Sequence, residues 1–141
     1  MKLRILLKNL KPIPLNQVYA TDFRTKRRFK SKKYKQFESA VNKELRAFRV
    51  EINKFNKAYN EEKHYITADY RFYFPLITKK EGRISKTSGD VSNLIKSLED
   101  IVFKSLMADD SGVIQVIATK INSEDVRIEI ELAIKDIKHV K

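Results

Sequence analysis

The sequence predicts an α+β fold, a small mixed sheet packed with two helices, in the order strand, helix, strand, helix, strand, strand. Three observations carry this prediction. Tyr65–Phe74 and Val126–Ile134 alternate apolar and polar residues with period two, as half-buried strands do. Between Tyr34 and Tyr59 apolar residues recur at steps of three and four, the signature of one helix face. A shorter stretch from Leu94 to Leu106 repeats that spacing. No internal repeat or domain boundary is visible, so residues 1–141 read as one domain, with Lys135–Lys141 expected to form a flexible tail.

The elements follow in order. Leu3, Ile5 and Leu7 alternate with Lys2, Arg4 and Leu6 in a first strand, which Pro12 and Pro14 stop. Leu15 to Phe29 is expected to be a long loop. A helix then runs from a Ser31 cap to about Asn60, burying Tyr34, Phe37, Val41, Leu45, Phe48, Ile52, Phe55 and Tyr59. In the second strand Ile66, Ala68, Tyr70, Phe72 and Phe74 share the inner face, and Pro75 ends it. After a polar loop over Thr78–Gly89, the second helix starts at Asp90 and buries Leu94, Leu98, Ile101, Val102 and Leu106. Val113–Ile121 is a strand, and Asn122-Ser123-Glu124 reads as a hairpin turn into the last strand.

Composition narrows the function. Lys and Arg number 30 against 18 Asp and Glu, a net charge of +12, so the surface attracts polyanions. Nucleic acid leads, an anionic membrane is second, and a basic protein with no such partner is the plain alternative. Cysteine is absent, which excludes disulfides and thiolate metal sites and points to a reducing cytoplasm. His64 and His139 lack ligand or triad spacing, and no Gly-rich phosphate loop occurs. No apolar run approaches the roughly 20 residues of a membrane helix, and Met1–Leu10 does not resemble a signal peptide.

One group of polar residues stands apart. Asn93, Lys96 and Asp100 share a stripe of the second helix, away from its apolar face. Read plainly, Asp90 caps the helix and Lys96–Asp100 is an ordinary i,i+4 pair. Asp109-Asp110 adds a second reading. Adjacent acids repel unless a cation relieves them, and Mg²⁺ prefers oxygen ligands. A solvated turn also favours acids, so both readings stand. Convergence of Asp90 on the pair would place a metal beside a phosphate backbone, with Lys96 offsetting charge in the transition state.

At these residues the chain resembles the RusA family of Holliday-junction resolvases. The carriers are Asp90-Val91-Ser92-Asn93-Leu94-Ile95-Lys96, then Asp100, then Asp109-Asp110-Ser111. Family members carry Asp-x-Asp-Asn-x-x-Lys opening a helix, a later helix Asp, and an Asp-Asp pair. Pro14, Asn16 and Tyr19 match an early family loop more weakly. The resemblance implies a homodimeric endonuclease that uses Mg²⁺, with Mn²⁺ as a substitute, to cut four-way DNA junctions by paired nicks. It implies catalytic roles for Asp90, Lys96 and Asp110, and metal binding by Asp90, Asp109 and Asp110. Ser92, Asn93 and Asp100 would shape the site. A bacterial cytoplasm follows, with phage or prophage origin common among relatives.

Ser92 departs from the pattern, which has a second aspartate there. Three consequences compete. Asp90, Asp109 and Asp110 suffice; a partner chain or a DNA phosphate completes the site; or the protein binds junctions without cutting them. Two cationic runs supply the DNA surface: Arg24, Lys26, Arg27, Arg28 and Lys30, then Lys79, Lys80, Arg83 and Lys86 before Asp90. Of the aromatics interleaved with the first run, Phe29 is the candidate wedge for an opened junction, and Tyr34 is core.

Overall fold

The computed structural model describes residues 1–106 and 108–139. The order is β1 (Lys2–Lys8), β2 (Tyr19–Thr21), β3 (Arg28–Lys30), α1 (Lys32–Leu45), α2 (Arg49–Ala58), β4 (His64–Phe74), α3 (Val91–Ser105), β5 (Val113–Asn122) and β6 (Arg127–Asp136). The main sheet runs β1-β6-β4-β5, and β2 and β3 form a separate hairpin. Among the described residues only β4 and β5 pair in parallel within it, so the sheet is mixed, as expected.

Register explains the core. Tyr70 lies opposite Ile130 of β6, and Phe72 opposite Ile128, so period two brings Ile66, Tyr70, Phe72 and Phe74 to the same face as Ile128, Ile130 and Leu132. Leu3, Ile5 and Leu7 extend that layer across β1. The helical side contributes Phe37, Val41 and Phe55, and α3 adds Leu94, Leu98 and Ile101. Ser31 does cap α1, its hydroxyl oxygen accepting from the Tyr34 N–H at 3.1 Å.

Four expectations change. The helix from Ser31 to Asn60 is two segments, interrupted by a 3-10 turn at Arg46–Phe48 and ending at Ala58. Its apolar stripe repeats about every 3.5 residues, and a straight helix drifts roughly 20° per heptad from such a repeat. One tighter turn, near three residues per turn, restores the phase so both segments face the sheet.

The Leu15–Phe29 loop contains a 3-10 turn and most of the β2–β3 hairpin, which a cationic run without alternation does not announce. The turn at Asn122-Ser123-Glu124 does not join paired strands, because β4 lies between β5 and β6. It is bound to the end of β4 instead. Asn122 Oδ1 accepts from the Leu76 and Ile77 N–H groups, and the Ser123 N–H donates to the Phe74 carbonyl.

Lys135 and Asp136, expected in a loose tail, belong to β6 and pair with Tyr65 and His64. Val140 and Lys141 lie outside the described residues. His64 opens β4 and sits 3.5 Å from Asp136, its partner on β6. No helix among the described residues is long and apolar enough to cross a membrane.

Candidate functional site

The unit β4–α3–β5 positions the polar residues. A parallel strand pair needs a crossover, and α3 supplies it. The inner face of α3 is buried at Leu94, Leu98, Ile101 and Val102, while Ser92, Lys96 and Asp100 are exposed or half-buried along with Asn93. Asp90 occupies the N-cap position, but its carboxylate accepts no capping hydrogen bond, so the expected cap is not made.

The approach to Asp90 is built rather than loose. Gly89 has φ +84°, and Lys120 of β5 donates to its carbonyl and to the Ser88 hydroxyl, both at 2.9 Å. Lys120 points to the helical side because it lies opposite Phe72 of β4. Buried Ser97 donates to the carbonyls of Ile13 and Leu94, which fastens the proline loop to α3. A Cβ at Gly89 would stand 3.0 Å from Pro14 Cγ and 3.3 Å from Leu94 Cδ2. Gly89→Ala is therefore expected to destabilise the fold by roughly 1–3 kcal/mol, from left-handed strain and crowding together. Urea unfolding checks this.

The acid pair follows α3. Asp109 accepts from the Ser111 N–H at 3.1 Å, and Asp110 opens a 3-10 turn ahead of β5. The Ser111 N–H, then the hydrogen bond from Asp110, hold the Asp109 carboxyl below the usual carboxylate range. Asp110 is pushed up, chiefly by that same shared hydrogen bond, with further repulsion from Asp109 and Asp100. Lys96 acts on it in the opposite direction. Two acids in contact, with a third nearby, leave one carboxylate short of positive charge.

Asp100, Asp109 and Asp110 line one cleft of about 340 Å³ together with Tyr19, Lys30 and Tyr34. Lys96 makes no ion pair within 4 Å among the described residues, so its ammonium is free for an anion. Tyr34 is core, as expected, and burial followed by the charge of Glu38 pushes its hydroxyl up to about 12.

Asp90 does not line this cleft, and among the described residues no group of three or more acidic or histidine side chains stands close enough to hold a metal ion. The three-acid set of Asp90, Asp109 and Asp110 is therefore not assembled. A hard cation needs less. Mg²⁺ is commonly held by one or two carboxylates, with waters and substrate phosphates completing its shell. The Asp109–Asp110 pair offers oxygen donors only and a repulsion that such a cation would relieve, so these residues fit Mg²⁺.

Sequence reasoning misses two residues beside the cleft. Tyr70 is buried, and its hydroxyl donates to Glu99 Oε2 at 2.8 Å. Burial raises the Glu99 carboxyl most, the Tyr70 hydrogen bond opposes it, and Asp110 and Asp100 raise it further. The available signal is the seven-residue step from Ser92 to Glu99, which puts both on one helix face with Lys96.

The two cationic runs fall on separate elements. Lys79, Lys80, Arg83 and Lys86 are exposed on the loop before α3. Arg24, Lys26, Arg27 and Arg28 are exposed on the β2–β3 hairpin. Lys30 is not a free cation: it pairs with Glu38 at 3.2 Å, lies over the Tyr34 ring and lines the acidic cleft. Phe29 is half-exposed on β3, opposite Ala20, while Phe23 at the hairpin tip is 96% exposed.

A family model described as endodeoxyribonuclease RusA matches residues 9–133. No curated protein matches the sequence.

Proposed function

The chain belongs to the RusA endodeoxyribonuclease family, and from that premise we propose that it is a Mg²⁺-dependent, structure-specific endonuclease that resolves Holliday junctions by paired phosphodiester hydrolysis in recombination and repair. The observation that carries the catalytic part is the cleft where Asp109 and Asp110 touch each other beside Asp100, with a free Lys96 in electrostatic range.

Asp110 and Asp109 would hold the ion, and Asp100 adds negative charge on the α3 side. When bound, Mg²⁺ would supply Lewis-acid polarisation of the scissile phosphate and favour ionisation of water. Lys96 pairs with charge that builds on the phosphoryl oxygens. Asn93 lies one turn before Lys96 and shapes that side of the site. Asp90 enters this reading on its place in the family pattern alone. Exposed cations of the hairpin and of the 79–86 loop hold the DNA backbone, contacts that orient the substrate without reading its sequence. A four-way junction presents two equivalent strands, so paired incision calls for two active sites and hence a two-fold homodimer.

Ser92 favours a second reading, a junction-binding protein that does not cut. The side chain is exposed at the first turn of α3, where the family pattern has a carboxylate. The test is incision of a four-way junction and of its linear arms with Mg²⁺, by the native chain and by Ser92→Asp. Junction-selective nicking by the native chain supports the enzyme. Tight junction binding without nicks, with cutting gained in Ser92→Asp, supports the silent binder. Equal handling of junction and linear duplex by both proteins removes both readings.

A further inference from the structure

The β2–β3 hairpin stands on the wall of the acidic cleft. Tyr19 and Lys30, a cross-strand pair at its base, both line that cleft with Asp109 and Asp110. Its tip, residues 22–27, is held in shape. The Asp22 N–H donates to the Arg27 carbonyl at 2.9 Å, the Lys26 N–H to the Asp22 carbonyl at 2.7 Å, and the Arg24 N–H to Asp22 Oδ1 at 2.9 Å. Two-stranded ribbons are marginal by themselves. This one is braced along its length by Arg28, at the tip end of β3, reaching diagonally over the Tyr19 ring, 4.6 Å from its centroid, and is tied at its base by the Ser31 N–H on the Val18 carbonyl.

On that tip Phe23 is 96% exposed, with Arg24, Lys26 and Arg27 around it. A lone exposed aromatic needs no explanation on most surfaces. Here it is displayed by a braced turn among cations. Cations flanking one ring suit a nucleic acid strand, whose phosphates meet the charges while a base stacks on the ring. An apolar protein patch would meet three charges around a single ring and bury them unpaired.

We propose that the hairpin is a branch-sensing arm, in which Phe23 stacks on a base left unstacked at a DNA branch point while the neighbouring cations hold the adjoining phosphates. This rests on the junction-resolving reading above. Phe23 is four residues from Tyr19 on the cleft wall, so its backbone lies within roughly 13 Å of that wall, no more than about four nucleotide steps from a phosphate at the acids. Phe29, the wedge expected from sequence, lies on the flank of the ribbon and does not reach its end.

The experiment measures metal-free binding to a four-way junction and to a linear duplex of equal length, with 2-aminopurine at the branch nucleotides. The native chain, Phe23→Ala, Phe23→Trp and Phe29→Ala are compared. The loss of one base–aromatic stack predicts junction binding roughly tenfold weaker in Phe23→Ala, with duplex binding unchanged. The 2-aminopurine signal should respond to the native chain, Phe23→Trp and Phe29→Ala, and not to Phe23→Ala. Junction preference that survives intact in Phe23→Ala overturns the arm and leaves the resolvase reading standing. Absence of junction preference in the native chain overturns both.

Discussion

Replacing Asp110 with Asn is expected to lower single-turnover incision of a four-way junction by more than about a hundredfold, since losing even an outer partner of a metal ligand costs roughly 10- to 100-fold. Junction affinity should hold, because the substitution removes one negative charge from a surface that meets phosphate. Stability separates this role from a structural one. The Asp110 carboxyl is raised in the fold by the hydrogen bond shared with Asp109 and by nearby negative charge. A raised acid is disfavoured as the anion in the folded state. That penalty is absent below the ordinary carboxylate range and present in full above the folded value, so it operates at neutral pH. Asparagine removes it. A melting temperature that is unchanged or higher at pH 7, together with lost incision, is the expected pair of results; a lower melting temperature would make the acid a structural residue.

Lys96→Met should reduce the same incision rate by roughly 10²–10³-fold, the range seen when one group aimed at developing negative charge is removed. The physical case is that Lys96 holds nothing together. It lies on the outer side of α3 and is engaged in no ion pair within 4 Å among the described residues, though it acts electrostatically on Asp110 and Glu99. Unfolding in urea should therefore be nearly unaffected. Junction binding should weaken far less than the rate falls, since one phosphate contact among many is lost. Comparing the dissociation constant with the rate at saturating protein separates the two. A drop in affinity as large as the drop in rate would make Lys96 a binding residue only.

What sequence makes legible here is whatever periodicity and local chemistry encode. The β4 alternation from Ile66 to Phe74 names the inner face correctly, and so does the stripe from Tyr34 to Phe55. The Ser31 cap is local and therefore readable. Partner choice is not local. The strand patterns of β5 and β6 do not reveal that β4 separates them, because a strand pattern specifies at most a face and not a neighbour. The hairpin is hidden because each strand has three residues in a stretch dominated by cations.

The site divides along the same line. Asp109, Asp110, Asp100 and Lys96 form a group in the sequence, and they share one electrostatic neighbourhood in space. Asp90, expected to join them, does not line their cleft, since closeness across an intervening helix is a property of the fold. Tyr70 reads as core, which it is, and only the structure reveals that its hydroxyl holds Glu99 beside the acids.

The most direct test of the account is single-turnover incision of one four-way junction, with opposed strands end-labelled, in Mg²⁺ and in EDTA. The account predicts symmetric nicks on two opposed strands in Mg²⁺, none in EDTA, and none on the linear arms. Undiminished nicking in EDTA, or equal nicking of junction and linear arms, would contradict it.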